Sequence, residues 1–148
     1  MKIYCDGGAK PNPGDGGIGF IALKDDKIVL EGYQYMGENL TNNQCEFIAA
    51  INSLTHASLV FGAKQVELYV DSELVYCSVL PVLHPKHKNI RSKKLKPLHK
   101  TLLSVMELFE KIDVFHISRN ENTIADKLCY HAINTKTSRI TQIEPTDS

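Results

Sequence analysis

At 148 residues, with 43% hydrophobic and 23% charged content, the chain has the size and composition of one globular domain with a core of its own. Its 17 basic and 17 acidic residues cancel, which excludes a protein that coats nucleic acid by bulk charge. The opening Met1-Lys2-Ile3-Tyr4-Cys5-Asp6 reaches charge without an apolar run, so neither a signal peptide nor a membrane anchor is expected and a soluble cytoplasmic protein is; a monomer is the default expectation, which the sequence does not decide.

In chain order, Met1 to Asp6 reads as a short strand that runs into a loop over Gly7-Gly8-Ala9-Lys10-Pro11-Asn12-Pro13-Gly14, where nearly every residue is a turn former. Gly17 to Leu23 resumes β character, Lys24 to Lys27 makes a polar turn, and Ile28 to Met36 supplies a third strand, most simply all antiparallel. From Asn43 the apolar spacing changes to three and four through Phe47, Ala50, Ile51, Leu54, Ala57 and Phe61. That is an amphipathic helix stopped by Gly62. Gln65 to Asp71 alternates as a fourth strand, with Val66, Leu68 and Val70 on one face and Tyr69 and Asp71 on the other.

Glu73 to Leu80 predicts a short helix ended by Pro81, and Leu98 to Ile112 a longer one with Leu98, Leu102, Val105, Met106 and Phe109 inward. Val114 to Ser118 is a fifth strand and Thr123 to Ile133 a last helix. Residues 1–135 form the expected domain, and 136–148 a polar C-terminal tail. The order βββαβααβα contains strand–helix–strand crossovers, so an α/β fold with a mixed sheet follows, three antiparallel strands and then two parallel, flanked by helices. Cys5, Cys45, Cys77 and Cys129 form no C-x-x-C pair and read as buried reduced thiols. Between Glu73 and Glu107 no acid occurs, while Lys86, Lys88, Arg91, Lys93, Lys94, Lys96 and Lys100 do. A local basic surface is expected there, as substrate contact or as a solvated face.

Two strands end alike, in Tyr4-Cys5-Asp6 and Tyr69-Val70-Asp71. If they are parallel neighbours, the two aspartates meet beyond the carboxyl edge of the sheet, where α/β folds gather ligands. Close carboxylates repel unless a divalent cation neutralises them, and magnesium is the expected guest. Glu46 and Asp126 fall near the starts of helices. Asn43-x-x-Glu46 and Thr123-x-x-Asp126 also read as capping arrangements.

Taken together, Asp6-Gly7-Gly8-Ala9-Lys10-Pro11-Asn12-Pro13-Gly14, Thr41-Asn42-Asn43-Gln44-Cys45-Glu46, Asp71-Ser72 and Arg119-x-x-Asn122-x-x-Ala125-Asp126 resemble the successive motifs of type 1 ribonuclease H, from Asp6 to about Ile133. The resemblance implies a ribonuclease H-like fold with a five-stranded sheet, and an endonuclease that hydrolyses the RNA strand of RNA–DNA hybrids to 3′-hydroxyl and 5′-phosphate ends. It implies that Asp6, Glu46, Asp71 and Asp126 hold two Mg2+ ions, with Mn2+ as a substitute, about 4 Å apart on the scissile phosphate. It further implies substrate contacts by Asn12, Asn42 and Asn43 to 2′-hydroxyls, by Thr41 to a phosphate of the DNA strand, and by the Gly7-Gly8 backbone.

Many relatives carry a histidine on a loop before the last aspartate. Here the loop from Arg119 to Thr123 is short and has none, as in the short-loop subgroup, and His116 on the preceding strand reads as structural. Two other functions share these features: a non-catalytic module binding hybrids or RNA, and a metal-dependent nuclease acting on DNA. The intact acids speak against the first, and the three asparagines against the second.

Overall fold

The computed structural model describes residues 1–144, and 145–148 of the expected tail lie outside the described residues. Ten strands and α-helices follow one another: β1 (Lys2–Lys10), β2 (Gly14–Lys24), β3 (Lys27–Leu40), α1 (Asn42–Phe61), β4 (Gln65–Val70), α2 (Glu73–Val79), α3 (Lys96–Met106), β5 (Lys111–His116), α4 (Thr123–Thr135) and β6 (Arg139–Gln142), with a 3-10 turn at Arg119–Glu121 before α4. They build one sheet in the order β5-β4-β1-β2-β3-β6. The opening meander is antiparallel, and β4 and β5 join β1 as parallel strands through helical crossovers.

The sheet has six strands, not the five expected. The sixth comes from the segment read as tail: Lys136 turns the chain off α4 in a left-handed conformation, Ser138 Oγ accepts from the Tyr35 amide at 2.9 Å, and Arg139–Gln142 pairs antiparallel with Leu30–Tyr33. Four residues with one aliphatic side chain carry no readable alternation. This strand is held by backbone pairing to the edge of β3 rather than by burial.

Other boundaries move as well: β3 runs on to Leu40 past the expected Met36, and β5 spans Lys111–His116 rather than the expected Val114 to Ser118. The expected glycine loop is mostly strand, because β1 continues to Lys10 in register with β2 down to Lys10 opposite Asp15, leaving Pro11–Pro13 as the turn. Those glycines are required by packing. A Cβ on Gly7 would lie 2.1 Å from the Cys45 carbonyl oxygen of α1, and one on Gly19 would lie 2.3 Å from the Ala125 oxygen of α4. The two helices therefore rest directly on backbone, on opposite faces of β1–β2. The helix expected from Leu98 to Ile112, α3, ends early, at Met106. A tight turn then brings Phe109 into the core, and Glu110 and Lys111 donate to the Lys64 carbonyl, which starts β5 beside β4.

The core lies between the sheet and α1 with α3. Ile3, Phe20, Leu30 and Leu68 of the strands meet Phe47 and Leu54 of α1 and Leu102 of α3, all at most 2% exposed. α4 covers the other face over β1–β3 with Ala125, Cys129, Ala132 and Ile133. On that face Tyr4, Tyr69 and Phe115 stack across β1, β4 and β5, with ring centroids 4.6 and 5.1 Å apart. All four cysteines are buried free thiols. No helix of the described residues is long and apolar enough to cross a membrane.

Candidate active site

β1 and β4 are parallel neighbours with Cys5 opposite Val70, so Asp6 and Asp71 occupy the next rung at the carboxyl edge. α1 enters over the same edge because Gly7 lets its first turns sit on the β1 backbone. Carboxylate oxygens of Asp6, Glu46 and Asp71 lie within 4.8 Å of one another. The Gly7 amide donates to Asp6 Oδ1 at 3.0 Å and to Glu46 Oε1 at 3.2 Å. Asp126, on α4, is not in that closest trio. It stands against Asp6 from the opposite side and lines the same groove of about 620 Å³.

Neither helix acid is a cap. The capping box of α1 is Thr41 with Gln44, and the cap position of α4 is Asn122, with no side-chain cap bond. Glu46 lies beyond the first turn of α1, whereas Asp126 lies within the first turn of α4, where an acid also suits the helix N-terminus.

Burial dominates the electrostatics. It pushes the Asp6 carboxyl up to about 7, assisted by Asp71 and Asp126 and opposed by its hydrogen bond with Glu46. Glu46 is raised well above the usual carboxylate range by burial and by Asp6. Such a set is unfavourable when fully ionised and empty of cations, and a divalent ion removes the conflict. The donors fit a hard cation, since the site offers oxygens only. The thiol that lines the groove, Cys129, donates to the Gly17 carbonyl at 3.2 Å and is itself pushed up by burial.

The asparagines expected at the substrate form a relay. Asn42 Oδ1 accepts from the Ala9 amide at 2.8 Å, and Asn12 Oδ1 accepts from the Asn42 amide at 3.0 Å. Both oxygens are occupied by backbone, which fixes the amides and leaves each Nδ2 as the outward donor. Asn42 and Asn43 line the groove beside Gly7 and Gly8, while Asn12 and Thr41 are not among its lining. The Thr41 hydroxyl accepts from the Gln44 amide at 3.2 Å and donates to Gln44 Oε1 at 3.3 Å. Gly7 is explained by the approach of α1. At Gly8 an added Cβ would meet nothing nearer than 3.7 Å, so the groove floor there is open.

Four further residues contribute to the site, though the sequence alone assigns none of them a role there. Lys10 and Tyr130 line the groove, the ammonium 4.0 Å from the ring centroid, and Arg119 adds a second positive charge. Asn122, 1% exposed, is bonded into the site. The motif contains it, but only the folded chain shows what it touches. His116 pairs its ring nitrogen with the Asp71 carbonyl at 3.2 Å and stacks on Tyr76, a structural placement. His84, His87 and His99, in and beside the basic segment, each bond to backbone.

A model of the RNase H family matches residues 1–134. Ribonuclease HI of Halobacterium salinarum is 32% identical over 135 residues, which is 90% of this chain and 64% of that protein, so the chain spans slightly under two thirds of that relative's length. The crystal structure of RNase H1 from Halobacterium salinarum NRC-1 superposes with a TM-score of 0.82 at 29% identity, covering 90% of this chain and 97% of that one. LC11-RNase H1, solved in complex with an RNA/DNA hybrid, gives 0.80 at 30% identity over 91% of this chain and 97% of that one.

Proposed function

Because the chain belongs to the RNase H family, we propose that it is a metal-dependent endonuclease hydrolysing the RNA strand of RNA–DNA hybrids to 3′-hydroxyl and 5′-phosphate ends. The observation that carries the reading is the convergence of Asp6, Glu46 and Asp71 at one strand edge, with Asp126 facing them. In this reading the four carboxylates hold two Mg2+ ions, for which Mn2+ substitutes. Bound there, the pair supplies Lewis acidity toward the scissile phosphate and a lowered pKa for the attacking water.

The chain's own residues supply placement. The Gly7 amide fixes the Asp6 and Glu46 carboxylates relative to each other. Asn42 and Asn12, with their oxygens bound to backbone, donate from Nδ2 to 2′-hydroxyls, which is how an RNA strand is told from DNA across a wide minor groove. Asn43 shares this role, Thr41 at the cap of α1 holds a DNA-strand phosphate, and the Gly7-Gly8 backbone borders the RNA strand. Lys10 and Arg119 offset the acids for an approaching phosphate backbone. The catalytic unit is residues 1–135, acting as a cytoplasmic monomer.

The test is cleavage of end-labelled hybrid with Mg2+, beside duplex DNA and duplex RNA. Native protein is expected to cut the RNA strand of the hybrid. Asp71→Asn is expected to lose on the order of 100-fold or more in rate while still folding. No cutting by native protein overturns the reading, and equal cutting of duplex DNA replaces it with the DNA nuclease.

A further inference from the structure

Asn122 touches the chain segments of three of the four carboxylates. Its Nδ2 donates to the Cys5 carbonyl of β1 at 2.8 Å, one residue before Asp6. The same nitrogen donates to Asp71 Oδ2 beyond β4 at 3.0 Å. Its own carbonyl accepts from the Asp126 amide at 3.1 Å, as the first backbone bond of α4. One amide nitrogen has two hydrogens, and both are used in directions set by two different strands.

The other half of the amide makes the choice of residue informative. Asn122 Oδ1 is buried with no hydrogen-bond partner, an arrangement that native proteins keep only for a reason. Flipping the amide would aim Oδ1 at the Cys5 carbonyl and the Asp71 carboxylate, three oxygens facing one another, so the observed orientation is the only one the surroundings permit. A side chain chosen for helix capping alone would answer an amide of α4, and this one does not. Its donors are spent on the strand edge instead.

We propose that Asn122 is the positioning residue of the cation site, tying Asp71 to β1 and α4 so that one Asp71 oxygen is held by the amide and the other is aimed at the cation. The proposal rests on the reading that this cluster holds a divalent ion. Groups that orient a ligating carboxylate change metal affinity by about 10–100-fold when removed.

The experiment is titration of the metal-free protein, residues 1–148, with Mn2+ by calorimetry, without nucleic acid, for native, Asn122→Ala and Asn122→Ser. Serine keeps one donor too short to bridge both acceptors. Leu54→Ala, in the core remote from the groove, is the control for lost stability. The two Asn122 variants are expected to bind Mn2+ about 10-fold or more weakly and to need a matching increase in Mg2+ for half-maximal hybrid cleavage, with KM for hybrid unchanged and kcat recovered at high Mg2+. Leu54→Ala is expected to lower Tm and leave the Mn2+ affinity alone. Native Mn2+ affinity in either Asn122 variant overturns the proposal, as does failure of both to fold, since Asn122 would then be a folding residue only. Absence of hybrid cleavage by native protein would sink the nuclease reading and leave the Mn2+ comparison standing.

Discussion

At the scale of single residues, the carboxyl of Asp6 makes stability depend on pH in an unusual sense. Its ordinary value is 3.8 and burial pushes it to about 7. Between those values the folded, metal-free protein retains a proton that the unfolded chain has released. The stabilisation is therefore fully present below about pH 4 and is lost as pH rises through about 7. Glu46 shifts in the same direction. Thermal unfolding in a chelator is expected to show Tm falling across that window, with a flatter profile and a higher Tm for Asp6→Asn at the alkaline end. An equal slope in native protein and variant would show that Asp6 is not the source. Added Mg2+ is expected to restore Tm on the alkaline side, because ligands that bind only the folded state stabilise it.

At the scale of elements, helix starts were the most misleading feature. Acids at both helix starts read as caps, yet the box of α1 lies two residues earlier, in Thr41 and Gln44. Removing that cap by Thr41→Ala is expected to cost about 1 kcal/mol in urea unfolding. The strand edge carrying Asp6 and Asp71, the helix bounded by Gly62 and the parallel pairing could be read from alternation and spacing, which report burial. The extension of β1 through Gly7 and Gly8 could not, since glycines demanded by a helix resting on backbone look the same as glycines of a turn. The end of α3 was hidden because Phe109 and Ile112 keep helical spacing while belonging to a turn and a strand. The bonds of Asn122 join positions 117 and 51 residues apart, a distance at which sequence pattern carries nothing.

At the scale of the whole molecule, zero net charge conceals an uneven surface. The basic segment borders α2 through Leu74, which also lines the carboxylate groove, so the positive loop adjoins the acidic one. A hybrid in the groove would run toward Lys88 and Arg91. Replacing Lys86, Lys88 and Arg91 by alanine is expected to weaken hybrid binding and to lower the salt slope by about 0.9 per lost phosphate contact. An unchanged slope would assign the segment to solvent.

The sixth strand bears on how the protein can be handled. The family match stops at residue 134, and a fragment cut there would lose Arg139–Gln142 and uncover the backbone of β3 at Leu30–Tyr33. Unpaired strand borders invite the same strand of another molecule. β6 is short and begins with a charged residue, which makes it a poor template for that pairing. The short C-terminal strand thus covers the backbone of β3 at Leu30–Tyr33 that a truncated fragment would expose. A fragment ending at residue 135 is expected to scatter light increasingly with concentration where the full chain does not.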